Sequence, residues 1–202
     1  MKLSDMPLIL ASGSPRRIEM LENEGLSPRV LKTGCGEDIH TELGPAQTVM
    51  ALALRKGLEA ERRLSEEGGA GPCLAVSADT IVCRDGKIYG KPESEEEAFS
   101  MLRDLRGKVH QVYTGVFLNF IGSGRKLLFY DRTDVFVGDF GEEWLKEYVE
   151  SGEPMDKAGG YAIQGSFGRN IERIEGAYDN VVGLPLEKIK RVLASMAAAP
   201  QN

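Results

Sequence analysis

Residues 8–21 read LILASGSPRRIEML. The apolar run Leu8–Ala11 breaks into the small residues Ser12, Gly13 and Ser14, and Pro15 then takes the first position of a helix, where proline is favoured because that amide has no partner to lose. The helix pattern ends near Gly25. A short buried strand over 8–12, a small-residue turn and a helix make the opening unit of an α/β fold. Arg16 and Arg17 fall in the first helical turn, where the aligned peptide dipoles disfavour a cation by about 0.3–1 kcal/mol. A negative group nearby would remove that conflict. Ser12, Gly13 and Ser14 allow the close approach of a phosphate oxygen to the helix N-terminus, with Arg16 and Arg17 adding charge-assisted contacts. The plain alternative is two solvated arginines on an exposed helix.

The same alternation continues outward from this unit. SPRVLKT (27–33) reads as a second strand, and GCGEDIHTELG (34–44) carries turn residues and acids without a period. Residues 45–67 fit a long amphipathic helix that ends at the glycine-rich loop GGAGP, although Gly57 weakens its interior. CLAVSADTIVC (73–83) is a β-rich apolar run, followed by the turn signal Asp85-Gly86 and a short return, KIYGKP. SEEEAFSMLRDLRG (94–107) predicts a helix from its Ser cap, acidic first turn and terminal glycine. Two long strands, HQVYTGVFLNFI and RKLLFYDRTDVFVGDF, flank GSG and predict an antiparallel hairpin. A helix over EEWLKEYVESG, the loop KAGGYAIQGSFG, a strand around 171–174 and a closing helix from Pro185 toward Met196 complete the pattern. The residues after 196 predict a frayed tail. Early alternation with a late hairpin predicts an α/β protein with a mixed, strongly twisted sheet.

Composition excludes several classes. A chain of 202 residues with 42% hydrophobic content can bury a sizeable core, and a net charge of −6 argues against a nucleic-acid coat. No apolar stretch reaches the length that crosses a bilayer, and the N-terminal run is too short for a secretory signal, so the expected compartment is the cytoplasm. Cys35, Cys73 and Cys83 lack CxxC spacing and are odd in number, which predicts free thiols. His40 and His110 are the only histidines, so any metal would be held by oxygen. Neither GxxxxGK[ST] nor GxGxxG occurs, which removes the P-loop and Rossmann readings.

Asp79 is the oddity. Alternation along the 73–83 strand puts Ser77, Asp79 and Ile81 on one face and Val76, Ala78, Thr80 and Val82 on the other. Aspartate is depleted in strands, and a buried carboxylate needs a cation or a set of donors. The alternatives are a reacting group and a turn or cap residue. Lys56 in the long helix, Lys91 in the extended GKP, and Lys157 and Gln164 in the glycine-rich loop are each unremarkable alone.

Taken in order, LASGSPRR, Glu37, Lys56, SADTIV, GKP, HQVYTGV, DKAGGYAIQG and GAYDNVVGLPL resemble the Maf family of nucleoside triphosphate pyrophosphatases, over about residues 8–186. The resemblance implies a single Maf-like domain over 1–202, with two lobes around a deep cleft, related in fold to the inosine triphosphate pyrophosphatases. It implies hydrolysis of a nucleoside triphosphate to the monophosphate and pyrophosphate with a divalent cation, Mg²⁺ or Mn²⁺. It assigns Asp79 as the proton acceptor, or as chiefly a metal ligand together with Glu37, and Ser12, Arg17, Lys56 and Lys91 to the phosphates. Arg16, Thr80 and Gln164 match the branch of the family acting on dTTP and UTP, where the glutamine's donor and acceptor suit the uracil or thymine edge. The expected partner is therefore the nucleoside triphosphate, with no nucleic acid and no membrane; dimers are frequent in the family, so a homodimer is an expectation. Two other readings stay open: a nucleotide-binding regulator of septum formation, and a purine-directed house-cleaning pyrophosphatase.

Overall fold

The computed structural model describes residues 1–35, 43–69 and 71–198. Glu37, and residues 199–202 of the tail expected to fray, lie outside the described residues. Along the chain run β1 (Leu8–Leu10), α1 (Pro15–Asn23), β2 (Arg29–Val30), α2 (Pro45–Glu66), β3 (Cys73–Arg84) and β4 (Lys87–Tyr89). They are followed by α3 (Glu95–Leu105), β5 (Val109–Ile121), β6 (Arg125–Val137), α4 (Glu142–Glu150), β7 (Ile171–Glu175), α5 (Tyr178–Val182) and α6 (Leu186–Ala198). Among the described residues the strands form one seven-stranded sheet in the order β2-β1-β3-β5-β6-β7, with β4 paired to β3. It is mixed: β1 runs parallel to both β2 and β3, whereas β3–β4 and β6–β7 are antiparallel. β5 and β6 are neighbours joined only through Gly122–Gly124, a connection too short for anything but an antiparallel pair.

The chain divides into two compact units, Met1–Asp79 with Thr114–Asp131 and Gly183–Asn202, and Thr80–Tyr113 with Arg132–Val182. In the first, β3 alternates as its sequence predicts. Leu74, Val76 and Ala78 join a core with Leu8, Leu10, Leu21 of α1 and Ile189 and Leu193 of α6. Cys73 and Ala75 pack on the opposite face with Ile9 and Leu64 of α2. Helices cover both faces, which is why β1 and β3 read as continuous apolar runs. Helix α2 lies close on the sheet at two glycines. A Cβ at Gly57 would collide with the Phe117 ring and lie 2.7 Å from Ser77 Oγ, and a Cβ at Gly115 would collide with the Val49 carbonyl of α2. The glycine that weakened the helix pattern is thus required by the packing.

The second unit has its own core, in which Leu102 and Leu105 of α3 and Leu145 and Tyr148 of α4 meet Val82, Tyr89, Val112, Val135, Tyr161 and Phe167. Ser94 caps α3 as its sequence predicts, its Oγ accepting from Glu97 N at 3.2 Å. The loop after α4 is wound into 3-10 turns at Glu153–Asp156, Ala158–Gly160 and Ser166–Asn170. Helix α5 was not expected: it is too short to show a period, and it is held by Asn180, whose Nδ2 donates to Val112 O at 3.1 Å and Thr133 Oγ1 at 2.9 Å. The three cysteines are free, and burial pushes the thiols of Cys73 and Cys83 up.

Candidate active site

Strand order brings several of the predicted site residues to one region of the first unit. From β1 the chain passes through α1 to β2 on one side, then through α2 to β3 on the other, with α1 and α2 covering opposite faces. Reversals of this kind are where ligands bind in open α/β sheets. β1 and β3 pair in the register Leu10↔Val76, extended by Ala11 N donating to Val76 O at 2.8 Å. Ser12 and Asp79 therefore leave or continue the same end of neighbouring strands.

Ser12 is buried, and its Oγ accepts from Ser14 N at 3.2 Å and from Arg17 Nη1 at 3.1 Å. Both hydroxyl lone pairs are then engaged, and what the side chain can offer a ligand is its proton. Arg17, 8% exposed, also donates through Nε to Gly183 O at 2.7 Å. Two acceptors thus fix a guanidinium at the start of α1, against the helix dipole, and tie the first motif to the GLP segment 166 residues away. Arg16, on the same turn, is half-buried.

Asp79 is neither a turn nor a cap residue. It sits inside β3, 7% exposed, and its carboxylate is ion-paired and hydrogen-bonded to Lys56 Nζ of α2, itself 9% exposed. Read alone, Lys56 looks like a solvated surface charge; the structure buries it instead. Two residues earlier on the same face, Ser77 Oγ donates to Ala53 O of α2 at 2.7 Å, so helix and strand are bonded at successive positions. Sequence reasoning gave Ser77 no role, although the alternation placed it beside Asp79.

Among the described residues no cluster of three or more His, Cys, Asp and Glu is placed to hold a metal ion, and Glu37 lies outside them. Of the two carboxylates expected to hold a cation, Asp79 is the one described, and it is ion-paired to Lys56. A hard oxygen ligand of this kind fits Mg²⁺ or Mn²⁺, which accept one or two carboxylates and take their other ligands from water and substrate phosphates.

The remaining predicted site residues belong to the second unit. Thr80 opens it, half-buried on the face of β3 opposite to Asp79. Lys91 and Gln164 are exposed. Their motifs meet, because Gly159 N donates to Gly90 O at 2.9 Å, and Gly159, at φ 69°, has no room for a Cβ, which would lie 2.8 Å from Val82 Cγ2. Tyr161 anchors the same loop inward, its hydroxyl 2.6 Å from His110 Nε2 and its ring edge-on to the imidazole. Burial, assisted by the Arg84 charge, lowers the His110 pKa to about 4, and burial pushes the Tyr161 phenol up.

The fold is that of a mixed α/β protein whose first unit holds a buried carboxylate–lysine pair between β3 and α2 and a buried arginine in the first turn of α1. The chain is matched over residues 7–196 by the family model described as Maf-like protein, and it belongs to that family. It is 41% identical over 189 residues to the dTTP/UTP pyrophosphatase of Caldicellulosiruptor saccharolyticus, an alignment that covers 94% of each chain. It is likewise 41% identical over 189 residues to the dTTP/UTP pyrophosphatase of Clostridium perfringens strain SM101, covering 93% of this chain and 96% of that one. The dTTP/UTP pyrophosphatase of Bacillus pumilus is 41% identical over 193 residues, 96% of this chain and 98% of its own. No helix among the described residues is long and apolar enough to cross a membrane.

Proposed function

We propose that this protein hydrolyses dTTP and UTP to the monophosphate and pyrophosphate in the cytoplasm. The names of its relatives support the substrate class, and one observation carries the chemistry: a carboxylate in the interior of β3, past the end of its pairing with β1, held by a buried lysine of α2. The Ser12 hydroxyl proton, the first amides of α1 and Arg17 receive phosphate oxygens. Asp79 orients the attacking water and takes its proton; the water oxygen bonds to the α-phosphorus as the bond to the bridging oxygen breaks, and pyrophosphate leaves with that oxygen. Lys56 stands beside this carboxylate and offsets the negative charge that gathers on the phosphate. Asp79, together with Glu37, would hold the divalent cation, Mg²⁺ or Mn²⁺, which when bound neutralises phosphate charge. Lys91 is assigned to the phosphates, and Arg16, Thr80 and Gln164 to recognition of the pyrimidine nucleotide, on the strength of the family resemblance. A homodimer is part of the same reading.

Release of monophosphate and pyrophosphate from dTTP, UTP, CTP, ITP and GTP, with and without Mg²⁺ or Mn²⁺, tests the proposal. Turnover confined to ITP and GTP would overturn the pyrimidine assignment, and nucleotide binding without pyrophosphate release would make the protein a binder. Asp79→Asn is expected to lower kcat about 10²–10⁴-fold, the usual worth of a positioned base. Recovery of the rate at high Mn²⁺ would reassign Asp79 as chiefly a ligand.

A further inference from the structure

Gln164 sits exposed on an arch between Tyr161, buried against His110, and Ser166. The arch closes on itself through Gly165 N donating to Ala162 O at 3.1 Å, and its far end is held by one side chain outside it. Glu153, from the 3-10 turn after α4, accepts from Ser166 N at 3.2 Å through Oε1 and from Ser166 Oγ at 2.7 Å through Oε2. The Tyr148 hydroxyl lies 3.4 Å from Glu153 Oε1 and 3.2 Å from Gly160 O, sharing its proton across both sides of the arch. Gly165 has extended backbone, which any residue could adopt, but a Cβ there would overlap the Glu153 carboxylate. The glycine of IQG is therefore needed to let the carboxylate in. Lys157 Nζ secures the clasp from behind by donating to Glu153 O at 2.5 Å and Asp156 Oδ1 at 2.6 Å. A half-buried carboxylate would ordinarily be left to water; this one has its oxygens engaged by an amide and two hydroxyls around one short turn.

We propose that Glu153 is a positioning residue for base recognition, clasping the 162–166 arch so that Gln164 meets the pyrimidine edge in one fixed orientation. The proposal rests on the reading of Gln164 as the group that recognises the base. A side chain that contacts the base from a loose loop must be ordered when substrate binds, at a cost in affinity, whereas a clasped one has already been ordered in the free protein. The clasp contributes to discrimination because a fixed polar edge rejects a base whose donors and acceptors are reversed.

The test uses the full chain as Glu153→Ala, Glu153→Gln, Gln164→Ala and the Glu153→Ala/Gln164→Ala double variant. Hydrogen–deuterium exchange of residues 160–168 is read alongside kcat and KM for dTTP, UTP and CTP, whose exocyclic amine and bare N3 reverse the uracil pattern. Glu153→Ala is expected to speed exchange in the arch and to raise KM for dTTP about tenfold, the effect of one or two lost hydrogen bonds, with kcat little changed. The dTTP-to-CTP ratio of kcat/KM falls with it, and the double variant falls no further than Gln164→Ala. Glu153→Gln, which keeps a carbonyl oxygen for Ser166, recovers most of the ratio. If Gln164→Ala shifts the ratio and Glu153→Ala does not, or if the two losses simply multiply, the clasp is overturned. An unchanged ratio in Gln164→Ala overturns the recognition reading and this proposal with it, a different failure because it appears without touching Glu153.

Discussion

Replacing Lys56 by Met tests whether the Lys56–Asp79 pair is a buried pair or a surface one. The side chains are 11% and 10% exposed, so solvent screens them little, and the surface value of 0–1 kcal/mol does not apply. Methionine preserves most of the lysine stem while removing the ammonium. Asp79 is then left as a buried charge with its cation gone, which costs about 3–5 kcal/mol. In a chain of this size each kcal/mol lowers Tm by about 2–4 °C, so the expected fall is roughly 6–20 °C. Asp79→Asn alone strands the ammonium in the same way, while Lys56→Met/Asp79→Asn removes both charges and should lose much less than the two singles added together. Urea denaturation of the four proteins at pH 7 gives the cycle. A Lys56→Met cost below about 1 kcal/mol, or two single losses that add within about 0.5 kcal/mol, would refute the coupling and with it the picture of a desolvated carboxylate held ready by lysine.

Gly57→Ala should destabilise by about 1–3 kcal/mol despite alanine's better helix propensity, because the methyl group meets the Phe117 ring and Ser77 Oγ; urea denaturation measures it, and a stabilised variant would show that the helix can lift away. The His110 pKa, lowered from 6.5 to about 4, means that the unfolded chain binds more protons between those values, so this contribution to stability is whole above about pH 6.5 and is lost as pH falls toward 4. Between pH 7 and pH 5 it should cost about 2 kcal/mol by linkage, measured as the difference in urea stability between the native chain and His110→Gln; parallel pH profiles would refute it.

Much of this arrangement was legible in local pattern. The period of β3 placed Ser77 and Asp79 on one face, and they are the residues bonded to α2. Ser94 with three acids after it marked the start of α3, and GSG marked the hairpin. What could not be read was what depends on strand order and distant partners. Nothing in residues 8–33 says that β1 lies between β2 and β3, yet that order brings Ser12 and Asp79 to the same end of neighbouring strands. Arg17 looked like a cation in conflict with a helix dipole because its acceptors, Ser12 and the carbonyl of Gly183, come from a turn before it and a loop at the other end of the chain. Lys56 looked solvated because only its fold partner, 23 residues on, reveals its burial. Glu153 carried no signal, since a carboxylate that accepts from a backbone amide has no sequence mark at its partner apart from the glycine that makes room for it.

The position of the Lys56 ammonium is set by residues that have no chemistry of their own. Val49, Ala53 and Gly57 recur every fourth residue of α2 and form one stripe along the helix, and each meets the sheet through a close contact or a hydrogen bond. The Val49 carbonyl lies against Gly115, the Ala53 carbonyl receives Ser77 Oγ at 2.7 Å, and Gly57 seats the Phe117 ring. Lys56 is one residue from the end of that stripe, so its stem leaves the helix where the helix can neither rise nor slide without breaking a contact. Packed interiors shift between discrete arrangements rather than stretch, and a bulkier residue at 57 or 115 would therefore move the helix and carry the ammonium off the carboxylate. The Lys56–Asp79 geometry and the core packing at Gly57 are in this sense one structural property, and if Asp79 acts as proposed, loss of rate in a Gly57 variant should track loss of stability without any change in which nucleotide is preferred.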